Sequence, residues 1–507
     1  MPSGRVIDTI PGALTAAAER DPEGTWLRTD DGVLTFGAAY RRVAAAAERL
    51  REHGVRPGDV VLMTARTTPP YVLAWLALAA TGAITVTANP HAAPEEVRGL
   101  AGQTRPRLVV TDPGVPLVVA GELGILDVGD LTAAGGPGGE LRTAARPEDV
   151  AVLIPTSGTT GRSKLVMQTQ RAYAWAGEGF PYWMELGRDD RMMTSLPLFH
   201  INAQAYSVMG SLACGAGLVL LPRFSASGFL DAARRHGATE FNAIGAMLEI
   251  LMRRPERPDD ADNTLRLCYT GPSPSRERQE EIERRFGLRI VCGYALSESP
   301  YGLIWPRGTR PFGTLGVPRQ HPRLGTVNEA RVIDDGGGDC AAGQAGELLL
   351  RNPVVTPGYW GMPEETAAAV MDGWLHTGDL VTRDGGGTIT FLSRRKEVLR
   401  RRGENVAPQE VEEAIASHPS VLECAVVGVP SELSEEEIKA FVVPIPGATL
   451  DLAELAGWTG QRLAAFKVPR FWQAVEALPR TSTARVAKHL LVGIAEDEYD
   501  ATTEGSR

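Results

Sequence analysis

The 507-residue sequence has no surplus of positive charge: 52 Lys and Arg stand against 62 Asp and Glu, a formal net charge of −10. Broad nucleic-acid binding needs a basic surface, so that class is set aside. A local basic cleft for an anionic ligand is still allowed. Cysteine is scarce. The five residues Cys214, Cys268, Cys292, Cys340 and Cys424 are scattered, odd in number and form no C-x-x-C pair. That speaks against a disulfide framework and for a reducing compartment. The eight histidines show no metal-ligand spacing. Long apolar runs are missing too. Nothing reaches the ~18 residues of a membrane span, and Tyr71 to Ala80 is a short stretch. The N-terminus lacks the charged and apolar segments of a signal peptide. The expectation is a soluble, cytoplasmic protein with no membrane and no nucleic-acid partner.

What is present is a large supply of core: 43% of residues are hydrophobic. At ~150 residues per domain the length suggests about three units. Short β-type runs recur at VVLMTA (60–65), AITVTANP (83–90), RLVVTD (107–112), AVLIPTS (151–157), MMTSLPL (192–198), GLVLLP (217–222) and LRIVCGYA (288–295). Helical patterns lie between several of them, including YVLAWLALAATG (71–82) and SPSRERQEEIERRFG (273–287). Such alternation predicts parallel sheets covered by helices. The pattern changes near Arg394, where SRRKEVLRRRGENVAP is polar and basic. Beyond it, a helix at 408–418, strands at 423–429 and 439–445 and a helix at 452–463 predict a small α+β unit of about 110 residues. The fold class is α/β: a large N-terminal domain, 1–393, and a small C-terminal α+β lid, 397–507. Stretches 133–139 and 334–346 read as surface loops.

The strongest local signal is Pro155-Thr156-Ser157-Gly158-Thr159-Thr160-Gly161-Arg162-Ser163-Lys164, directly after an apolar strand. Its glycines allow a tight turn with exposed N–H groups. Several hydroxyls and one lysine would then face a polyphosphate. The spacing is not G-x-x-x-x-G-K-[ST], which excludes a P-loop. On the residues alone, an ordinary Ser/Thr/Gly hairpin loop stays open as a second reading.

TSGTTGRSK resembles the phosphate-loop signature of the adenylate-forming superfamily: acyl-CoA synthetases, peptide-synthetase adenylation domains and luciferases. Six further motifs follow in that family's order: PLFHINA (197–203, with His200), GYALSES (293–299), GELLLRNPVVTPGYW (346–360), GWLHTGDL (373–380), SRRKEVLRRRGENVAPQEVE (393–412) and LPRTSTARVAK (478–488). The resemblance covers nearly the whole chain and looks closest to stand-alone acyl-CoA ligases. It implies that Thr156, Ser157, Gly158, Thr159, Thr160, Gly161 and Lys164 wrap the phosphates of ATP. Tyr294 would stack on adenine, Ser297 would touch phosphate and Glu298 would hold Mg²⁺. Asp379 would accept from the ribose hydroxyls, with Arg394 assisting. His200 would gate the acid pocket; a lone histidine there is otherwise a packed, hydrogen-bonded residue. Lys396 falls on the hinge, 394–396, about which the lid turns between half-reactions. Gly403 matches a glycine of the CoA tunnel. Arg394 to Arg402 holds six basic residues in nine; CoA phosphates or plain solvent would suit it.

The sequence departs from the family at three places. Ser163 replaces a proline and Leu165 a glycine, which alters loop stiffness more than charge. More consequential is Ala484-Arg485, where the family has Gly-Lys and the lysine supports adenylation. Arginine keeps the charge with a different reach. Lys488, three residues on, would substitute only if the loop shifts.

The resemblance thus implies an ATP-dependent ligase that joins a small, possibly aryl, acid to AMP, releases pyrophosphate and passes the acyl group to CoA, with Lys164, His200, Glu298 and Arg485 as catalytic residues. Alternatives keep the fold with an amine acceptor, or with nitrite activated to diazotise an aryl amine, or make the chain a non-catalytic nucleotide-binding homologue. The acid pocket is expected from Phe199, Asn202, Gln204, Phe241, Gly245, Met247, Gly271 and Leu296. Asn202 and Gln204 suit a small polar or aromatic acid. Family members are commonly monomers or homodimers.

Overall fold

A computed structural model describes residues 6–115, 123–135, 139–156, 163–271, 273–401, 404–430, 436–448, 450–480, 486–491 and 499–501; for 396, 400, 404, 405, 430 and 489 it describes the backbone alone. The chain divides into two compact units. The first takes Met1–Ala330, Leu349–His376 and Gly386–Ile389. The second takes Arg331–Leu348, Thr377–Gly385 and Thr390–Arg507. Stretches well before Arg394 therefore count with the second unit. Local bonds explain this: Thr377 Oγ1 donates to the Leu348 carbonyl at 2.7 Å and Gly378 N to Glu347 Oε1 at 3.1 Å.

Two large sheets build the first unit. In the six-stranded one the spatial order is Gly124–Asp127, Leu108–Thr111, Val60–Thr64, Ile84–Thr87, Val150–Thr156, Lys164–Thr169. Its first five strands are parallel, as their continuous apolar runs predict. The last returns antiparallel, because a short loop cannot make a parallel crossover. The nine-stranded sheet runs Val317–Pro318, Ser299–Ile304, Arg289–Leu296, Leu267–Thr270, Glu240–Asn242, Arg191–Thr194, Gly217–Leu220, Thr25–Thr29, Gly32–Thr35. Its middle six strands are parallel and its edges antiparallel.

Helix Pro69–Thr81 shows why the sequence folds this way. Proline occupies its first turn, where the missing N–H is not needed, and Gly82 ends it at φ 76°. Every residue from Tyr71 to Thr81 is buried, as expected of a helix apolar all round. Leu73, Leu76 and Leu78 are 0% exposed, each contributing about 1.5–3 kcal/mol of burial.

In the second unit a four-stranded sheet has the order Val421–Pro430, Glu436–Pro444, Phe471–Ala474, Tyr499–Asp500. Helices Pro408–Ala416 and Leu452–Gly460 bury Val411, Ile415 and Leu455 against Val426, Ile438, Val442 and Trp472. Among the described residues no helix is long and apolar enough to cross a membrane.

Candidate active site

Hairpin geometry creates the first part of the site. Strands Val150–Thr156 and Lys164–Thr169 pair with Thr156 opposite Lys164, and Thr156 Oγ1 donates to the Lys164 carbonyl at 3.2 Å. The glycine- and hydroxyl-rich loop is thus held at both ends. Ser157, Gly158, Thr159, Thr160 and Gly161 lie outside the described residues.

Beyond Lys164 the strand is bound on its far side by residues 356–360. Met167 N donates to Gly358 O at 3.0 Å and Trp360 N to Leu165 O at 2.9 Å. Thr356 Oγ1 reaches Met167 O at 2.6 Å. Gly358 has φ 134°, and a Cβ there would fall 2.3 Å from Thr366 Cγ2, so only glycine fits. This packing sets Tyr359 beneath Lys164, whose Nζ lies 4.8 Å from the ring centroid. Cation–π attraction of this kind is worth about 0.5–2 kcal/mol, depending on desolvation. Among the described residues Lys164 forms no ion pair, so its ammonium keeps donors for an anion.

Glu298 arrives from the other sheet. Strands Arg289–Leu296 and Ser299–Ile304 pair with Leu296 opposite Ser299, leaving Ser297 and Glu298 as a two-residue hairpin tip. Three bonds pin that tip. Gln168 Nε2 donates to Ser297 O at 2.5 Å, Thr356 N to Glu298 O at 2.7 Å, and Tyr359 Oη to Glu298 Oε1 at 2.9 Å. Burial, then the Glu298 charge and the hydrogen bond to it, push the Tyr359 phenol well above its ordinary value. It therefore remains a donor. No hydrogen bond from a described residue ends on Glu298 Oε2. A single oriented carboxylate with a free oxygen suits Mg²⁺, which takes one or two carboxylates together with substrate phosphates and water. No group of three or more His, Cys, Asp or Glu able to cage a metal exists among the described residues.

Tyr294 sits on the same strand as this tip, half-buried and opposite Leu303. Backbone passes close beneath it: a Cβ on Gly302 would come 1.9 Å from the Tyr294 carbonyl oxygen. Leu296, next to the tip, is also half-buried.

Candidate pocket residues separate into two groups. Phe199 and His200 are half-buried, with ring centroids 4.4 Å apart, and Thr87 Oγ1 holds the Phe199 carbonyl at 3.0 Å. Asn202 begins a π-helix, Asn202–Val208, that the sequence pattern did not reveal. Gly245 opens a helix with nothing within 4 Å of a notional Cβ, and Gly271 lies against the Gly293 carbonyl. By contrast Gln204 is 1% exposed and accepts from Tyr173 Oη at 2.7 Å. Phe241 is 1% exposed, packed 5.0 Å from the Phe229 ring, and Met247 is 5% exposed. All three are buried: Phe241 and Met247 lie in the apolar core cluster, and Gln204 meets Tyr173 through its oxygen while its Nε2 has no hydrogen-bond partner among the described residues. Tyr359 and Asn242, not singled out from the sequence, are the additions. Tyr359 lay within the quoted GYW segment; Asn242 carries no local signal beyond its place at the end of the short strand Glu240–Asn242.

In the second unit Asp379 is 1% exposed, with Arg394 Nε 3.2 Å from its Oδ1. Its backbone N donates to Thr377 Oγ1 at 3.1 Å. Glu347 receives Gly378 N on one oxygen and lies 3.2 Å from Arg395 Nη1 on the other. The Asp379 turn is thus clamped from both sides. Lys396 occupies a short 3₁₀ turn, Arg395–Glu397; its side chain, Gly403 and Arg485 lie outside the described residues. Lys488 is committed elsewhere: its Nζ is 2.7 Å from Glu412 Oε1. Burial raises the Glu412 pKa while Lys488 opposes the rise. Removing that lysine to serve a distant site would strand a buried carboxylate, which argues against Lys488 as a substitute for residue 485.

Residues 14–360 match the family described as AMP-binding enzyme, and residues 410–485 match the AMP-binding enzyme C-terminal domain. A feruloyl-CoA synthase of an Amycolatopsis species is 32% identical over 480 residues, covering 93% of this chain and 96% of the relative. The O-succinylbenzoate coenzyme A synthetase of Bacillus subtilis, solved with ATP and magnesium ion, superposes with a TM-score of 0.83 at 26% identity, covering 94% and 98% of the two chains. A benzoate CoA ligase from Burkholderia xenovorans LB400 gives 0.84 at 25% identity, over 95% and 99%. Matched in both of its parts and along almost all of its length, the chain belongs to the AMP-binding enzymes and is an ATP-dependent, AMP-forming ligase.

Proposed function

We propose that this chain activates a small aryl carboxylic acid as its acyl adenylate and transfers the acyl group to CoA. The observation that carries this reading is the arrangement of Lys164, Tyr359 and Glu298 beside the 156–164 loop: an ammonium with no ion pair among the described residues, over a phenol that orients one carboxylate. Relatives that act with CoA on feruloyl, benzoate and O-succinylbenzoate groups support the aryl class.

In the first step a carboxylate oxygen bonds to the α-phosphorus of ATP and the bond to the β-phosphate oxygen breaks, releasing pyrophosphate. Little covalent work falls to the protein; positioning and charge neutralisation dominate. Thr156, Ser157, Gly158, Thr159, Thr160, Gly161 and Lys164 wrap the phosphates, and Ser297 joins them. Glu298 would hold Mg²⁺, whose charge would offset that of the phosphate oxygens. Tyr294 stacks on adenine, Asp379 takes the ribose hydroxyls with Arg394 beside it, and Arg485 supplies the second cation. His200 gates the acid, which lies among Phe199, Asn202, Gly245, Gly271 and Leu296. In the second step residues 397–507 turn about 394–396, and Gly403 lines the path of the CoA arm. The thiol sulfur, having lost its proton, bonds to the acyl carbon as AMP leaves.

The test is ATP-dependent pyrophosphate release on a panel of short-chain, fatty and aryl acids, and on nitrite with an aryl amine. Each is run with and without CoA, for wild type and Arg485→Lys. Aryl-acid turnover yielding a CoA thioester is the expected result. Turnover that needs an amine or nitrite reassigns the acceptor. Silence of the wild type on the whole panel, with Arg485→Lys gaining activity, overturns the catalytic reading and leaves a nucleotide-binding protein.

A further inference from the structure

Asn242 closes the strand Glu240–Asn242, third among the parallel strands of the nine-stranded sheet counted from Arg289–Leu296. In open α/β sheets ligands sit beyond the carboxyl ends of such strands. Its side chain is 1% exposed. Nδ2 donates to Asn202 Oδ1 at 2.9 Å and to Ser207 Oγ at 3.2 Å. In this network the amide nitrogen faces the Asn202 oxygen and the Ser207 hydroxyl, and Oδ1 has no hydrogen-bond partner among the described residues. A buried acceptor left unmet is costly, and native structures keep one where something else meets it.

The π-helix makes this arrangement. At 3.6 residues per turn, positions five apart on an α-helix diverge by about 140°. The i→i+5 winding of Asn202–Val208 instead lays Asn202 and Ser207 over one another, so both reach the same amide. The winding is secured from behind. Arg319, 1% exposed, donates through Nη1 to Tyr206 Oη at 2.5 Å and through Nε to Leu303 O at 2.9 Å, and also bonds the Tyr269 hydroxyl. Asn202 itself is half-buried and is one of the residues proposed above to surround the acid.

We propose that Asn242, oriented by Asn202 and Ser207, accepts a hydrogen bond from a hydroxyl or amino group on the acid, remote from its carboxylate. The substrate class is therefore a hydroxy- or amino-substituted aryl acid. This rests on the acid-ligase reading and sharpens it.

The experiment compares kcat/KM for pyrophosphate release on matched pairs: 4-hydroxycinnamate with cinnamate, and 4-aminobenzoate with benzoate. Wild type, Asn242→Leu and Ser207→Ala are assayed, Ser207 being a group that orients the amide. Wild type is expected to favour the substituted acid by about tenfold to a hundredfold, since a site built to bond an OH or NH rejects the acid lacking it. Both variants are expected to reduce that preference to within about threefold while keeping kcat on the unsubstituted acid. Equal use of each pair by wild type, or an unchanged preference in both variants, overturns the inference and leaves the ligase reading standing. No release with any acid overturns both.

Discussion

Two cations in the first unit are built from the same ingredients and do opposite things. Arg319 is 1% exposed, stands within 5.3 Å of the rings of Trp183, Tyr206 and Tyr269, and donates to two phenols and to the Leu303 and Pro300 carbonyls. Lys164 is half-buried, over one ring, and among the described residues it has no ion pair. Tyr206 and Tyr359 are both held protonated: burial raises them above the ordinary tyrosine range. What differs is saturation. Arg319 meets its partners within the fold and so serves the fold. Lys164 keeps donors in reserve among the described residues, as the proposed phosphate contact requires. Burial beside aromatics does not mark function; unspent hydrogen-bonding capacity does.

The comparison breaks first at Lys164. Lys164→Met should lower kcat for pyrophosphate release by about 10²–10³-fold, the effect of removing one preorganised charge, with an unchanged thermal midpoint. A midpoint that falls as well would make Lys164 a structural cation like Arg319. Arg319→Met should do the reverse. It leaves buried phenols and carbonyls unmet, so the first unfolding transition in denaturant should weaken by about 2–4 kcal/mol. Specific activity of the folded fraction should change much less than for Lys164→Met. Tyr359→Phe separates the ring from its hydroxyl and should reduce kcat/KM by about tenfold, roughly one hydrogen bond to a charged group. Because the folded pKa of Tyr359 is raised, the neutral donor persists above pH 10, while the unfolded phenol ionises near ~10. Its contribution to stability is thus present below that value and lost as pH rises further. Wild type and Tyr359→Phe should therefore share one alkaline limb in their pH–rate profiles; a limb belonging to wild type alone would show that Tyr359 titrates within the working range.

Much of this was legible in the chain itself. Apolar runs such as VVLMTA and RLVVTD fix strands because both faces of a parallel sheet are buried. The helix pattern of 273–287 is borne out at Arg276–Phe286, with Ser275 capping and Gly287 ending it. The pattern did not show the antiparallel edge strands, which depend on loop length and pairing. Nor did it show that Gln204 turns to Tyr173, since a polar residue on an apolar helix has no direction until its partner, 31 residues away, is placed.

Sequence alone determined the strand-and-helix order and singled out the 156–164 loop, Lys164, Glu298 and Asp379 as candidates, because motif spacing and local periodicity are properties of neighbouring residues. Only the tertiary structure decided that Tyr359 links Lys164 to Glu298, that Lys488 belongs to Glu412, and that Asn202, Ser207 and Asn242 meet at one amide. Those contacts join segments tens to hundreds of residues apart, and hydrogen bonds of 3 Å are settled by packing that no local pattern encodes.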